Sequence, residues 1–312
     1  MRLQLLVPWI LCLGVSFPSQ VTAHPISLWE IKTNSAHLFL LGSVHVARPD
    51  LYPLPQAMTR AFDEATTVVF EVDMTQESPA DVAKSMSARG RFPPGQTLAG
   101  VLQPETRKAL SAWLASRGIP YDRVEWVRPW LLSLNLQLEE FERLGYQPKL
   151  GVDQHFRRLA IQSGKSIRQL ETVKEQIDLL ANNPPAVQDV ELRATLETLG
   201  TTGDLAGKMM SAWQAGQADR LYKLSMDSAD RYPLLHDWID RLTVQRNHRM
   251  ANKIRGYLAR GGKWLVVVGV LHMGGPEGLV RLLGKDYPVR QLDDSASPEK
   301  ATKNQEKNQL KQ

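Results

Sequence analysis

The hexapeptide Trp264-Leu265-Val266-Val267-Val268-Gly269 limits the fold more than any other stretch of the chain. Nearly all apolar and rich in valine, it reads as a strand buried on both faces, the pattern of a parallel sheet interior. The character then changes at once. Val270-Leu271-His272 is followed by Met273-Gly274-Gly275-Pro276, and residues 277–283 return to helical spacing. His272 therefore falls where a strand hands over to a helix, and ligands of open α/β sheets bind outside that carboxyl edge.

The same grammar occurs near the other end. His37-Leu38-Phe39-Leu40-Leu41-Gly42-Ser43-Val44-His45 is an apolar strand that ends in glycine, two residues and histidine, with a helix expected over 54–65. Neighbouring strands would bring the two imidazoles of these GxxH corners to one edge.

Composition sets outer bounds. A chain of 312 residues, 43% hydrophobic and 23% charged, is ordinary globular material. A net charge of +5, with no interleaving of basic and aromatic residues, gives no sign of a nucleic-acid partner. Residues 1–23 read as a signal peptide: Arg2, an apolar run over 3–15, and Val21-Thr22-Ala23 as a small-residue cleavage site. The mature chain is expected to start at His24, to be exported to the periplasm or beyond, and to keep no stable membrane anchor. The only cysteine, Cys12, lies in the removed segment, so any metal must be held by imidazole and carboxylate.

In chain order, 27–32 and 37–41 form a hairpin about Thr33-Asn34-Ser35, and 66–72 is a second buried strand. It holds Glu71, in a run that otherwise reads as core. A buried carboxylate without partners costs several kcal/mol, so Glu71 should be paired, metal-bound or protonated; the alternative is a strand ending at Phe70. Asp73 shares its face. From about 79 to 260 the periodicity is helical, with one long helix over 234–259 and a single further strand over 166–170. A last helix over 275–283 and a strand over 289–292 precede a disordered tail, 293–312. The expected fold is one α/β domain over 24–292, its mixed, largely parallel sheet split by a large helical insertion.

Three further places carry polar residues in suggestive positions. Gly151-Val152-Asp153-Gln154-His155 opens a helix; Asp153 reads first as its cap, and His155 is a ligand or a surface residue. Glu171 ends the short strand and serves either the following helix dipole, the stronger reading, or the site. Arg246 and Asn247 lie on or beside the apolar stripe of the long helix, where a guanidinium can grip a carboxylate of the substrate or of Glu71.

Taken together, the two GxxH corners, Phe70-Glu71-Val72-Asp73, Gly151-Val152-Asp153, Leu170-Glu171-Thr172 with Gln176, and Arg246-Asn247-His248-Arg249-Met250-Ala251 resemble the TraB/GumN family, which includes PrgY and the Tiki proteins. The resemblance covers about 28–292. It implies a core related to the erythromycin-esterase and ChaN-like folds. The Tiki members are regarded as metal-dependent proteases, which would carry the metal or catalytic role to His45, Glu71 and His272; other members are known by pheromone inhibition or by exopolysaccharide gene clusters. Gln245, where many relatives carry glutamate, departs from the pattern.

The expected function is an exported metal-dependent hydrolase acting on a peptide or protein substrate. His45 and His272 would hold a divalent ion (manganese, cobalt, zinc or iron), Glu71 would ligate it or act as general base, and Arg246 with Asn247 would orient substrate. No HExxH helix is present. The alternative is a non-catalytic protein of the same fold that captures a peptide signal or a haem-like ligand.

Overall fold

The structure is a computed structural model that describes residues 24–75 and 77–294. The expected signal peptide and nearly all of the expected disordered tail lie outside the described residues.

Six strands form one sheet: β1 (Pro25–Lys32), β2 (Ala36–Ser43), β3 (Thr67–Val72), β4 (Ser166–Glu171), β5 (Gly262–Gly269) and β6 (Val289–Asp293). Their order is β4-β3-β5-β2-β1-β6. The four strands from β4 to β2 are mutually parallel, while β1 runs antiparallel to both β2 and β6. The hairpin reading of β1 and β2 holds. The Thr33 hydroxyl accepts from the Ser35 and Ala36 backbone N–H groups and closes the turn. Parallel pairing of β2 with β5 requires a crossover, and everything from the Gln56–Glu64 helix to the Val244–Arg260 helix provides it.

The register of that pair matters most for the site. It runs without a bulge from Ala36 opposite Gly262 to Ser43 opposite Gly269. Both strands therefore end level, and the two histidine corners leave the sheet side by side. Leu38, Leu40, Leu41, Leu265, Val266 and Val268 are each 0% exposed, so the apolar runs are covered on both faces as expected. Consecutive side chains of β3 point to opposite faces: Phe70 meets Arg157 and Glu71 meets Arg246. The Val152–Gln162 and Val244–Arg260 helices accordingly cover opposite sides of the sheet. Phe62 packs on Phe156 at 5.7 Å, placing the Gln56–Glu64 helix beside the former.

Two helical expectations need correction. The single helix over 234–259 is a 3-10 turn (Pro233–Leu235), a short helix (His236–Leu242) and a long one (Val244–Arg260). The break is at Thr243, at φ −118° and ψ −73°, whose hydroxyl donates back to the Ile239 carbonyl at 2.7 Å, a local bond that competes with helix continuation. The last helix begins only at Leu279, because Gly275 adopts a positive φ of 82° and diverts the chain.

The helical insertion carries cores of its own. One gathers Leu98, Leu110, Leu114, Leu132, Leu136 and Leu192, and another Val187, Val190, Leu235 and Trp238. Among the described residues no helix is long and apolar enough to cross a membrane.

Insertion and sheet are tied at Trp213, which is 2% exposed. Its indole N–H donates to the Gly42 carbonyl at 2.7 Å, and its own carbonyl accepts from Ser27 Oγ at 2.8 Å. Replacing Trp213 by Phe leaves the Gly42 carbonyl unpaired and should cost about 1–3 kcal/mol in urea unfolding; a cost near zero would show that the bond does not anchor β2.

Candidate active site at the sheet edge

The carboxyl ends of β2, β3, β4 and β5 deliver His45, Glu71, Glu171 and His272 to one edge. Gly269 is the point on which they converge. A Cβ there would lie 3.1 Å from Glu71 Oε1, 3.3 Å from His45 Nε2 and 3.8 Å from His272 Cδ2. Only a residue without a side chain leaves this space open. Gly151 plays the complementary part: a Cβ would stand 2.5 Å from the His45 carbonyl oxygen. Its absence lets the Val152–Gln162 helix abut the first corner, where Val152 N–H donates to the Val44 carbonyl at 2.9 Å.

Glu71, in line with the expectation that it be paired, is held by protein on both oxygens. Oε1 accepts from Gly269 N–H at 2.5 Å; Oε2 accepts from Arg246 Nη2 at 2.7 Å and Gln176 Nε2 at 3.2 Å. Arg246 also grips Glu171, from Nε at 3.0 Å and Nη2 at 2.8 Å. Both side chains expected to orient substrate thus have protein partners. Arg246 joins two buried carboxylates, and Asn247 is occupied between the Glu277 carbonyl and His272. Gln245 is exposed and donates to Asp240.

The Asn247 contacts fix the state of His272. Its amide nitrogen donates to the Glu277 carbonyl at 2.8 Å, a bond that only the NH₂ end can make. Asn247 Oδ1 must then accept from His272 Nδ1, at 2.6 Å. That leaves the Nε2 lone pair of His272 free. His45 Nδ1 lies 3.4 Å from Asp153 Oδ2, with its Nε2 turned toward Gly269. Each ring is therefore anchored through Nδ1 by an acceptor, the support that metal-ligating histidines commonly receive.

The remaining expectations divide. Asp153 is not the helix cap; Gly151 is the N-cap, and Asp153 sits in the first turn facing His45. Glu171 is not engaged by the next helix either, because Thr172 and Glu175 complete a capping box there. It belongs to the Arg246 network. His155 packs between Tyr52 at 5.3 Å and Phe156 at 5.2 Å and lines no part of the site cavity. Asp73 caps a local turn by accepting from Thr75. Sequence reasoning gave no role to Ser43 or Arg157, which line the cavity beside His45, Glu71, Asp153 and Gln176. Spacing of four from Asp153 was the available signal for Arg157, since it puts both on one helix face.

Charge at the centre is asymmetric. Burial opposes ionisation of Glu71, but the fields of His272, Arg246 and His45 and the Gly269 N–H outweigh it and bring the carboxyl down to about 2. Burial, opposed by Glu71 and reinforced by Arg246, lowers His272 to about 4. His272 is thus neutral near pH 7, and Arg246, Gly269 and His45 are what keep Glu71 ionised there. His45 goes the other way: desolvation works against its charge, yet the hydrogen bond to Asp153 and the fields of Asp153 and Glu71 raise it to about 9. With 66% of its side chain open, water moderates that rise without reversing it. Among the described residues no three His, Asp or Glu side chains already stand together as a set of metal ligands.

Paired strand-GxxH corners around a buried glutamate, at the carboxyl edge of a largely parallel sheet, define an α/β protein with a composite candidate active site. The chain belongs to the TraB/PrgY/gumN family, which matches residues 27–291. It is 26% identical over 247 residues to uncharacterized protein YbaP of Escherichia coli (strain K12), covering 79% of this chain and 88% of that protein. The YbaP of Shigella flexneri matches to the same extent. No solved structure matches the chain.

Removing the guanidinium would strand Glu71 and Glu171, whose side chains are only 11% and 6% exposed. Arg246→Ala should therefore cost about 3–5 kcal/mol in chemical denaturation. A loss below about 1 kcal/mol would mean the carboxylates find other partners or protonate without penalty.

The protein should also lose stability in acid. Because His272 falls from 6.5 to about 4 on folding, its contribution is complete above pH 6.5 and disappears as pH drops toward 4. Glu71 extends the loss from 4.5 down to about 2. His45 has the opposite sign, its share present below pH 6.5 and lost as pH rises through about 9. Urea unfolding of chelator-treated protein across this range should show the upper acid loss flattened in His272→Gln; an unchanged slope would contradict a neutral buried imidazole.

Proposed function

We propose that the protein is an exported hydrolase that holds a divalent ion at the Gly269 cradle and cleaves a peptide bond there. Three observations support a fit to the ion. Two imidazoles with anchored Nδ1 atoms border the same space as Glu71 Oε1, His45 with its Nε2 3.3 Å and His272 with its Cδ2 edge 3.8 Å from where a Cβ at 269 would lie. The space is one that any Cβ at 269 would fill. The site also favours positive charge, since Asp153 and Glu71 hold the His45 imidazole above its ordinary pKa. Convergence of His45, Glu71 and His272 on Gly269 is the observation that carries the reading.

His45, His272 and Glu71 would hold the ion, with His45 surrendering its proton as the ion enters. When bound, a divalent ion polarises a carbonyl and makes water acidic enough to attack near neutrality. Glu71, at about 2, is better suited to holding positive charge than to accepting a proton as general base, which works best near the operating pH. Arg246 keeps that carboxylate ionised and fixed, with Glu171 and Gln176 closing the ring around it. Asn247 holds His272 in the tautomer that presents Nε2. The cavity, about 210 Å³, opens between the first corner and the end of β3.

Export rests on the reading of residues 1–23, and kinship with the erythromycin-esterase and ChaN-like folds on the family resemblance. A haem-binding role gains no support, since 210 Å³ lies below the roughly 300 Å³ at which pockets for drug-sized ligands begin.

Elemental analysis of the purified chain, paired with mass spectrometry of a peptide pool, tests the proposal. The wild type should carry about one divalent ion per chain and shorten peptides; His45→Ala and His272→Ala should each lose the ion and at least about 100-fold in rate. Gly269→Ala, which fills the cradle and leaves the ligands in place, should do likewise while remaining folded. Cleavage that survives both histidine changes would sink the assignment.

A further inference from the structure

Two arginines flank the end of β3, and they are treated differently. Arg246, on the Glu71 side, has its guanidinium taken up by two carboxylates and a backbone carbonyl. Arg157, on the Phe70 side, is as buried, at 9% exposure, yet among the described residues no ion pair joins it to a carboxylate. Its Nη2 donates to the Val72 carbonyl at 2.9 Å, its guanidinium lies 5.0 Å over the Phe70 ring, and its Nε has no partner. Burial pulls its pKa down, and Asp153 and Asp73 compensate only through space. A desolvated guanidinium in this condition is costly unless an anion completes it.

Ser43 and Asp153 add to the picture. Ser43, 2% exposed, has an unpartnered hydroxyl, and Asp153 Oδ1 is buried without a partner. These two and Arg157 line one cavity with His45 and Glu71. The other buried unpartnered side-chain atoms among the described residues belong to positions 121–241 of the helical insertion and line no part of it. Three orphaned polar groups around one cavity, two donors and one acceptor, call for a ligand that carries both an anion and an N–H.

We propose that Arg157 and Ser43 form a carboxylate subsite and that the substrate class is short peptides bearing a free C-terminal carboxylate. Asp153 Oδ1 accepts from an amide N–H of the same peptide. The inference rests on the hydrolase reading for its catalytic consequence, though not for the recognition itself. The planar guanidinium donates to a carboxylate with matched geometry, and the Ser43 hydroxyl adds a donor. Arg157 follows Asp153 by four residues on one helix face, Asp153 approaches His45 Nδ1 at 3.4 Å, and all three line one cavity, so a carboxylate at Arg157 sets a bond within a residue or two of the terminus at the histidine centre. A cavity of 210 Å³ suits such an end group better than the middle of a long chain.

Calorimetric titration of the full-length protein with N-acetyl-dialanine and with its C-terminal carboxamide tests this directly. Wild type should bind the free acid about 10- to 100-fold more tightly than the amide, the range a charge-assisted hydrogen bond provides. Arg157→Gln should bind the two alike, Arg157→Lys should keep part of the preference, and Ser43→Ala should reduce it about threefold. Circular dichroism confirms folding of each variant, and Ser43→Ala carries the test if Arg157→Gln does not fold. Equal affinity of wild type for acid and amide, absence of binding by either, or an undiminished preference in Arg157→Gln or in Ser43→Ala overturns the subsite. Mass spectra of the same mixtures separate the two readings: a carboxylate preference without any hydrolysis leaves the subsite standing and removes the hydrolase.

Discussion

Everything at the sheet edge depends on the parallel register of β2 with β5. Ser43 opposite Gly269 makes the two strands end level. A slip of one residue would turn each strand's side chains to the opposite face and separate the histidine corners. The slip is prevented by burial on both sides: residues 265–268 and 38–41 are at most 5% exposed, so no register offset escapes a core mismatch. The Trp213 bond to Gly42 pins the same end from a third direction. Long-range pairing of this kind, across a helical insertion with cores of its own, is what converts two short sequence patterns into one centre.

The second constraint is electrostatic. Three buried charged groups, Glu71, Arg246 and Glu171, leave one negative charge over, and the nearest titratable groups respond in opposite senses. His272 is enclosed between Asn247 and the carboxylate, where desolvation dominates and the ring stays neutral. His45 stands at the mouth with Asp153 behind it, and attraction to the carboxylates dominates. The surplus negative potential is thus directed at one exposed imidazole. A proton on His45 meets that demand, and the divalent cation of the proposed function would meet it more completely.

Much of this was legible in the sequence, for reasons that can be stated residue by residue. Valine-rich runs ending in GxxH report a buried parallel strand and its edge, so His45 and His272 were found without coordinates. Glu71 was found because a carboxylate in a core run must be explained. What escaped was anything that depends on which face a helix presents. Asp153 looked like a cap because Asp near a helix start usually is one; the chain instead caps with Gly151, since close approach to His45 leaves no room for a Cβ. Glu171 looked like a helix-dipole residue, but Thr172 and Glu175 already perform that task. Thr243 broke a helix that periodicity alone extended, because a hydroxyl that bonds backward leaves no trace in an apolar pattern.

The two arginines beside β3 show how the distinction between stability and recognition is drawn in one place. Sequence context ranks Arg246 above Arg157, since only the former lies within one of the motifs. Partners reverse the ranking for ligand contact. A guanidinium whose donors meet carboxylates of the fold is committed to the fold, and removing it mainly strands charges. A guanidinium equally withdrawn from water, yet left with one carbonyl and an aromatic ring, retains a directional demand that the protein does not meet. Because Phe70 and Glu71 are adjacent and face opposite sides, the committed arginine fixes Glu71, while the uncommitted one lies on the Phe70 side and lines the same cavity as Glu71. Fold and the proposed recognition are thereby set on the two faces of a single strand end.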